Sequence, residues 1–290
     1  MLLLCHMKVT NLPPYPCVMG IINVTPDSFY AASRVQEDDA LRRRVAQILD
    51  EGGKMIDVGA YSTRPGAAEV TADEELERLR WALPIVRKAA DEWCEAHQTD
   101  WHVQVSVDTY RAREAEVSVT ELGADIINDV SGGTLDEEML AVVARTGAPY
   151  ILMHMRGTPQ TMQQLTDYPE GVTREVIAFF ERQIAALTAR GGKTSQVILD
   201  PGYGFAKTLE QNYQLMQGLD AIHEAFPELP VLVGISRKTM IYRLLGTDAD
   251  HAQNGTTVLN TYALLHGAAI LRVHDVREAA ETVSIVSMLG

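Results

Sequence analysis

Cysteine is scarce in this chain, with three residues out of 290 that are odd in number and show no metal-ligand spacing. That pattern argues against a disulfide framework and favours a reducing compartment. A linker, an internal repeat and a low-complexity segment are also missing, so we expect a single domain. The first four residues, Met1 to Leu4, lack a basic flank and are too short for a signal sequence. We therefore expect a cytoplasmic protein.

Basic residues are in deficit, with 25 Lys and Arg against 39 Asp and Glu and a formal net charge of −14. This balance disfavours nucleic acid and anionic membranes as partners. A glycine-rich phosphate loop is missing as well. The Gly-Gly pairs that begin at positions 52, 132 and 191 lack the spacing of a phosphate loop, and we interpret them as helix ends or turns.

What the chain does contain is a series of eight short apolar runs that end on polar residues. They are Ile21-Ile22-Asn23, Met55-Ile56-Asp57, Val105-Ser106-Val107-Asp108, Ile126-Ile127-Asn128-Asp129, Ile151-Leu152-Met153-His154, Val197-Ile198-Leu199-Asp200, Val231-Leu232-Val233-Gly234-Ile235-Ser236 and Ile270-Leu271-Arg272-Val273-His274. Such runs are typical of parallel strands buried on both faces, and the segments between them are long enough for helices. We predict an α/β fold, a single-domain (β/α)8 TIM barrel over 17–290, with 1–16 as an extension covering its bottom. In that fold the strand ends face one shared mouth, where the active site lies.

The segments between the runs predict helices with recognisable ends. Thr71 and Glu74 form a capping box that opens a helix to about Trp93. Ser236-Arg237-Lys238-Thr239 leaves strand seven and opens a short helix, where free N–H groups and two hydroxyls suit a carboxylate or phosphate. The other predicted helices are 38–51, 111–121, 136–145, 170–189, 209–225, 252–266 and 276–288.

Several cations fall in the expected strand-end loops, namely Arg64, Lys207, Arg237, Lys238 and Arg272. Fixed positive groups act more strongly in a concave, partly dry mouth than on an open surface. The group as a whole therefore favours a small anionic ligand. For any single member, an ordinary exposed loop charge stays the alternative.

Three polar residues end strands three, four and six after at least two apolar residues: Asp108, Asn128 and Asp200. Each is either braced by a neighbouring backbone amide or directed at a ligand's N–H groups, and the cost of a buried unpaired charge favours the second interpretation. Asp57 and Asp129 are interpreted as residues that orient loops. Alternation along strand five turns His154 away from the face of Ile151 and Met153, so it is also assigned a structural role.

The run Arg272-Val273-His274 places two cationic candidates on one face of strand eight, because they are two residues apart. That face can grip a phosphate. The loops after strands seven and eight also form the commonest phosphate site in barrels.

Eight motifs follow one another along the chain: Asn23-Val24-Thr25-Pro26-Asp27-Ser28-Phe29, Ser62-Thr63-Arg64-Pro65-Gly66, Ser106-Val107-Asp108-Thr109, Ile127-Asn128-Asp129, Leu199-Asp200-Pro201-Gly202, Gly204-Phe205, Ser236-Arg237-Lys238 and Arg272-Val273-His274-Asp275. In this order and spacing they resemble the dihydropteroate synthase family over residues 17–288. The resemblance implies that 6-hydroxymethyl-7,8-dihydropterin diphosphate joins 4-aminobenzoate, giving pyrophosphate and 7,8-dihydropteroate for folate synthesis. It also implies a homodimer packed through C-terminal helices that include 252–266.

The resemblance assigns the pterin ring to the strand-end polar residues. Asp200 would accept an exocyclic amine and a ring N–H together, and Lys238 would meet the ring oxygen or N5. The remaining implied substrate contacts are Asp108, Asn128, Met153, Phe205, Pro65, Gly234, Ser236 and Thr239. Of these, Met153 and Phe205 would form apolar walls.

The diphosphate is assigned to Asn23, Arg272 and His274 together with Mg²⁺, for which Asn23 is the implied ligand. Thr63, Arg64 and Pro65 resemble a loop that folds over the diphosphate and helps shape the aminobenzoate pocket. The implied chemistry needs no nucleophilic side chain, because an aniline nitrogen attacks a cation-like methylene once both are positioned.

The chain departs from the family pattern in the mobile lid over about 24–37. Where Phe-Ser-Asp-Gly-Gly is common, this chain has Phe29-Tyr30-Ala31-Ala32-Ser33, and Tyr61 replaces a common acidic residue. These changes leave the pterin cradle intact and bear on the contribution of the lid to the rate. Two other functions stay open, a pterin-binding methyltransferase domain and a non-catalytic pterin-binding relative.

Overall fold

The computed structural model describes residues 12–24, 34–60 and 70–289, and eight parallel strands in this part of the chain close into a barrel. The strands are β1 Cys17–Asn23, β2 Met55–Gly59, β3 Gln104–Asp108, β4 Ile126–Asp129, β5 Tyr150–Met153, β6 Val197–Asp200, β7 Val231–Val233 and β8 Ala268–Val273. Each strand pairs with the next, and β8 pairs with β1. The predicted (β/α)8 TIM barrel is confirmed.

Helices separate the strands, as the sequence predicts. They are α1 Arg34–Asp50, α2 Ala72–His97, α3 Ala112–Thr120, α4 Met139–Thr146, α5 Val172–Ala189, α6 Leu209–Gln217, α7 Leu219–Ala225, α8 Thr239–Leu245, α9 Gln253–Leu265 and α10 Val276–Ser287. The capping box at Thr71 and Glu74 is present. The prediction of one helix over 209–225 was wrong, because the helix is interrupted at Gly218 and α7 begins after it. A β-carbon there would lie 2.3 Å from Thr173 Oγ1 on α5, so glycine permits this close approach.

The barrel interior changes from apolar to polar between its two ends. Strand alternation sends one set of side chains inward and the other toward the helices. The lower interior is a buried apolar cluster of Cys17, Met19, Met55, Ile126, Ile151, Ile198, Leu232, Ala269 and Ile270. Further along the same inward faces stand Asp57, Ser106, Asn128 and Asp200, all buried. The strands therefore deliver their polar groups to the carboxyl end of the barrel.

Leu12 and Tyr15 pack against the lower apolar cluster. They belong to the segment that was predicted to cover the bottom of the barrel. The boundary at residue 16 stays a prediction. Among the described residues, no helix is both long enough and apolar enough to cross a membrane.

Candidate active site

Four strand ends meet in one row at the mouth of the barrel. In the parallel register Asn23 pairs with Gly59, Gly59 with Asp108, and Asp108 with Asn128. Because side chains at one register level of a barrel point into the same layer, three of the predicted site residues lie side by side. Asp200 follows on β6 beside Met153. The strand geometry thus brings the predicted ring-binding residues together.

Arg272 is held between two carboxylates inside this row. Its Nε and Nη2 atoms lie 2.7 and 2.6 Å from Asp57 Oδ2, and Nη2 lies 2.8 Å from Asp108 Oδ2. Asn128 Nδ2 donates to the same Asp57 oxygen at 3.0 Å. The interpretation of Asp57 as a loop-orienting residue was therefore wrong. It is a fully buried acid that joins β2, β4 and β8 within the site.

These contacts set the charges of the cluster. Burial raises the pKa of Asp108 to about 7, with Arg272 opposing the shift and Asp57 adding to it. Burial also acts against the charge of Arg272, but Asp57 and Asp108 outweigh it and its pKa is raised overall. The guanidinium stays positive. Its Nη1 atom hydrogen-bonds to no group in the described parts of the chain, which leaves it for a ligand.

Asp200 combines the two interpretations that the sequence left open. Its Oδ1 atom accepts a hydrogen bond from Gly202 N at 2.8 Å, so one oxygen is braced by the backbone. Its Oδ2 atom accepts from none of the described residues. The side chain is buried, which raises its pKa, while Lys238 opposes that shift. One edge of the carboxylate is therefore fixed and the other is directed at the mouth.

Lys238 and an apolar wall stand beside Asp200. Lys238 Nζ donates to Tyr203 O at 2.7 Å and lies 4.7 Å from the centroid of the Phe205 ring. Burial lowers the pKa of Lys238 to about 8, with Asp200 opposing. Met153 is buried in a cluster against which Phe205 packs. A flat ring between these groups would meet apolar faces and a cation together.

The loops after β7 and β8 are joined at Ser236. Its Oγ atom accepts from His274 N at 3.2 Å, while Arg44 donates to His274 O at 3.0 Å. Gly234 lies beside Arg272, since a β-carbon there would be 3.8 Å from Arg272 Cβ. Thr239 begins α8. These predicted binding residues border the Arg272 cluster.

Arg237 and Lys207, two of the five cations proposed for the mouth, bind groups outside the Arg272 cluster. Arg237 forms a bidentate pair with Asp275 at 2.8 and 2.7 Å and donates to Asp250 O. Lys207 is buried and donates to Gly202 O and Phe205 O. The sequence placed both in the right loops but could not give the direction of their side chains.

The structural assignments of Asp129 and His154 are supported by their contacts. Asp129 accepts hydrogen bonds from Ser131 N, Gly133 N and Tyr150 Oη, and so orients the loop after β4. His154 packs edge-on against Phe179 at 5.0 Å, outside the barrel. Residues 34–37, at the end of the predicted lid, belong to α1 instead. Lid residues 25–33, which include Ala31 and Ala32, lie outside the described residues, as do Tyr61, Thr63, Arg64 and Pro65.

Sequence analysis missed three contributors to the site: the Asp57 side chain, the Tyr203 carbonyl and Gly59. Alternation already places Asp57 on the same strand face as Met55 and Gly59, which was an available signal. The Tyr203 carbonyl has no sequence signature, because any residue supplies one.

Together the fold and the mouth define a class of protein: a barrel enzyme for a flat, nitrogen-rich ring that carries an anionic group. Its acids and amide have acceptors suited to ring N–H groups, and its fixed cations are suited to an anion. Comparison with known proteins agrees with this class. A family model described as pterin binding enzyme matches residues 19–274.

The relatives are more specific. The dihydropteroate synthase of Synechocystis sp. is 40% identical over 273 residues, which cover 94% of this chain and 89% of that protein. A solved dihydropteroate synthase of Anaplasma phagocytophilum, with bound 6-hydroxymethylpterin-monophosphate, has a TM-score of 0.82 and 32% identity, covering 95% and 100% of the two chains. That of Xanthomonas albilineans with 4-aminobenzoic acid has a TM-score of 0.79 and 33% identity, covering 95% and 93%. The chain belongs to the dihydropteroate synthase family of pterin binding enzymes.

Proposed function

We propose that this chain condenses 6-hydroxymethyl-7,8-dihydropterin diphosphate with 4-aminobenzoate. The products are 7,8-dihydropteroate and pyrophosphate, in folate biosynthesis. The observation that carries the proposal is the inward row of Asp108 and Asn128 at the same end of the barrel as Asp200, with the charge of Lys238 coupled to both acids. Family membership supports it, as do the pterin and 4-aminobenzoate found in the solved relatives.

Asp200 recognises the edge of the ring. A pterin presents an exocyclic amine and a ring N–H side by side, and a carboxylate can accept from both. Because Gly202 N holds Oδ1, the carboxylate cannot turn away from the ligand. Lys238 then meets a ring acceptor, and Phe205 and Met153 cover the faces of the ring.

The cations act on the leaving group. The amine nitrogen of 4-aminobenzoate attacks the methylene carbon, the carbon–oxygen bond breaks, and its electron pair leaves with the pyrophosphate. The new carbon–nitrogen bond leaves one extra proton on the nitrogen, which is released to solvent. Arg272, fixed by Asp57 and Asp108, offers a preorganised positive charge to the departing oxygens. The rate enhancement comes from positioning and charge, so no covalent enzyme intermediate is needed.

We propose that a magnesium ion binds beside Asn23. Asn23 Oδ1 and Asp108 Oδ2 lie 3.8 and 3.7 Å from the point where a β-carbon on Gly59 would stand, so both oxygens border Gly59. Asp108 Oδ2 already accepts from Arg272, which leaves Asn23 Oδ1 for the ion. Mg²⁺ takes one or two protein oxygens and completes its shell with phosphate and water. We assign Asn23 as its protein ligand. When bound, the ion would neutralise charge on the diphosphate.

The deciding experiment is pyrophosphate release by the purified chain with pterin diphosphate and magnesium, with and without 4-aminobenzoate. We expect release that depends on 4-aminobenzoate and equals the dihydropteroate formed. Asp200→Asn should lower kcat/KM by about 100-fold, since an amide cannot accept from both donors. The control Asp220→Asn, at a 62% exposed side chain on α7, should match the unsubstituted chain.

The same assay separates the alternatives. A methyltransferase domain or a non-catalytic pterin-binding relative would bind the pterin and release no pyrophosphate in response to 4-aminobenzoate. Full activity in a folded Asp200→Asn variant would remove Asp200 from the site.

We further infer a homodimer. It is supported by large apolar side chains exposed on the last three helices and the residues that follow: Leu244, Leu245, Val258, Leu265, Ile285, Met288 and Leu289. Patches of this kind mark protein interfaces. A cytoplasmic location is also our proposal, and the unpaired state of Cys17 and Cys94 supports it.

A further inference from the structure

Lys207 is a buried cation that the proposed reaction does not use. Its residue is only 4% exposed, and its Nζ atom lies 3.0 Å from His154 Nδ1, 2.9 Å from Gly202 O and 2.9 Å from Phe205 O. An ammonium group has three N–H donors, which matches these three acceptors. Burial holds the pKa of His154 well below its usual value, and a neutral imidazole accepts through Nδ1. Burial also lowers the pKa of Lys207 well below its usual value, with Asp200 opposing the shift. In the protonated form of Lys207, each of its three N–H donors has an acceptor.

The segment that Lys207 contacts is the β6–α6 loop, residues 201–206. In this loop Ala206 has a φ of +51°, which is unfavourable for a residue with a β-carbon. Gly202 and Gly204 have φ of +71° and +83°, which glycine adopts without strain. Tyr168 Oη donates to Ala206 O, and Asn212 Oδ1 accepts from Gly204 N. Such a conformation persists only when its surroundings fix it.

Two lysines hold this loop from opposite sides. Lys207 Nζ donates hydrogen bonds to Gly202 O and Phe205 O on the side of the loop away from the mouth. Lys238 Nζ donates to Tyr203 O on the side of the mouth. The same loop supplies the Phe205 ring beneath Lys238. Gly202 N also donates to Asp200 Oδ1. Gly202 therefore connects Lys207, which donates to its carbonyl, to the carboxylate that recognises the ring.

We propose that Lys207, seated on His154, is a positioning residue for the pterin site. It fixes the β6–α6 loop so that Tyr203 O and the Phe205 ring meet Lys238, and Gly202 N meets Asp200. A side chain of similar length without charge would fill the space but would leave the part-buried carbonyl of Phe205 and the buried Nδ1 atom of His154 without the donor that Lys207 supplies. Gly202 O would keep only its backbone hydrogen bond from Phe205 N. The inference rests on the proposed function for its consequence in binding, but the contacts themselves do not depend on a ligand.

The first test is hydrogen exchange followed by mass spectrometry, without ligand. Lys207→Met should speed exchange of the peptide that covers 201–207 by about tenfold or more and leave the peptides of β2 and β3 unchanged. The matched control Lys88→Met removes a 66% exposed lysine from α2 and should change neither. Unchanged exchange of 201–207 in Lys207→Met overturns the proposal.

The second test is calorimetry with 6-hydroxymethylpterin. Lys207→Met should weaken binding about tenfold, and Lys88→Met less than about twofold. If Lys207 acts through Lys238, its loss should matter less, about threefold or below, in a Lys238→Met background. Equal losses in both backgrounds would mean that Lys207 only stabilises the barrel, and would overturn the proposal.

The pH dependence of pterin binding is a third test, because a purely structural role of Lys207 would not change its midpoint. The charged groups that act on the pKa of Lys238 are Asp200, Arg272 and Asp108. Lys207 and Lys238 repel each other when both are protonated, which lowers the pKa of Lys207. Removing that cation favours the charged form of Lys238. The upper pH at which pterin binding is half lost should therefore rise in Lys207→Met, and an unchanged midpoint counts against the proposal.

If Lys207→Met does not fold, His154→Phe takes its place, since it keeps a ring against Phe179 and removes only the acceptor for Lys207. We expect a smaller change in the same direction, about threefold in both exchange and binding. Wild-type behaviour of this variant overturns the proposal. Absence of pterin binding by the unsubstituted chain would refute the proposed function, and the exchange experiment would then decide the role of Lys207 alone.

Discussion

At Asp57 one carboxylate oxygen accepts hydrogen bonds from both Asn128 and Arg272. This orients two ligand-binding side chains at once, because the amide of Asn128 must then turn its oxygen toward the mouth. A buried acid in this position is retained for placement of the site, since an ion pair buried at such cost contributes little net stability.

Asp57→Asn should lower the free energy of unfolding by about 3 kcal/mol, because Arg272 loses one of its two buried anions. Asp108→Asn is the matched variant. Its side chain is 14% exposed against 0% for Asp57, so we expect a smaller loss. Urea unfolding curves measure both. A loss at Asp57 no larger than that at Asp108 would contradict the asymmetry.

Lys238 predicts opposite pH trends for binding and for stability. Its usual pKa of 10.5 is lowered to about 8 in the folded chain. Pterin affinity that depends on the ammonium should be steady below about pH 8 and fall above it. The unfolded chain binds more protons between about 8 and 10.5, so the contribution of Lys238 to folding stability rises with pH there. Calorimetry and urea unfolding from pH 6.5 to 9.5, with Lys238→Met as a flat control, check both signs.

At the scale of elements, the strands were predictable because burial on both faces leaves an apolar run in the sequence. Capping at Thr71 and Glu74 was predictable because both partners lie within one turn. The division between α6 and α7 was not, since it depends on the approach of Gly218 to α5. The role of Asp57 was missed for the same reason, because its partner Arg272 is 215 residues away.

The direction in which loop side chains point could also not be predicted from the sequence. Arg237 has a φ of +54°, which turns it from the mouth toward Asp275, and Lys207 lies behind its loop rather than above it. Local sequence gives the position of a residue along the chain but not the side of the loop on which it stands.

The lid gives a prediction at this scale. By the sequence resemblance, Ala31 stands where the family pattern has an acid, and Asn23, Lys238 and Arg272 remain to handle charge in the mouth. Ala31→Asp should therefore change kcat by only about fivefold, or about 1 kcal/mol. Steady-state assays of both proteins measure it. An unsubstituted chain that is silent, and is switched on by the added acid, would show that the lid acid is indispensable.

For the whole molecule, the exposed apolar face predicts its assembly. Val258 and Leu265 lie seven residues apart on one face of α9, at 58% and 56% exposure, and Ile285 on α10 is 65% exposed. Val258→Glu should shift sedimentation equilibrium from dimer toward monomer. Thr188→Glu adds the same charge at an exposed position on α5 and should leave the mass unchanged. A monomeric unsubstituted chain would exclude the dimer.

The ion pair between Asp57 and Arg272 also constrains how the protein is made. Translation produces β2 and β3 early, with their two acids, while the guanidinium that neutralises them is 215 and 164 residues further on. A nascent chain that has not reached residue 272 can collapse locally, but its upper interior holds carboxylates that must stay hydrated or take up protons. We therefore expect ligand to bind only after the eighth strand has been synthesised and the barrel has closed, and not to partial barrels on the ribosome.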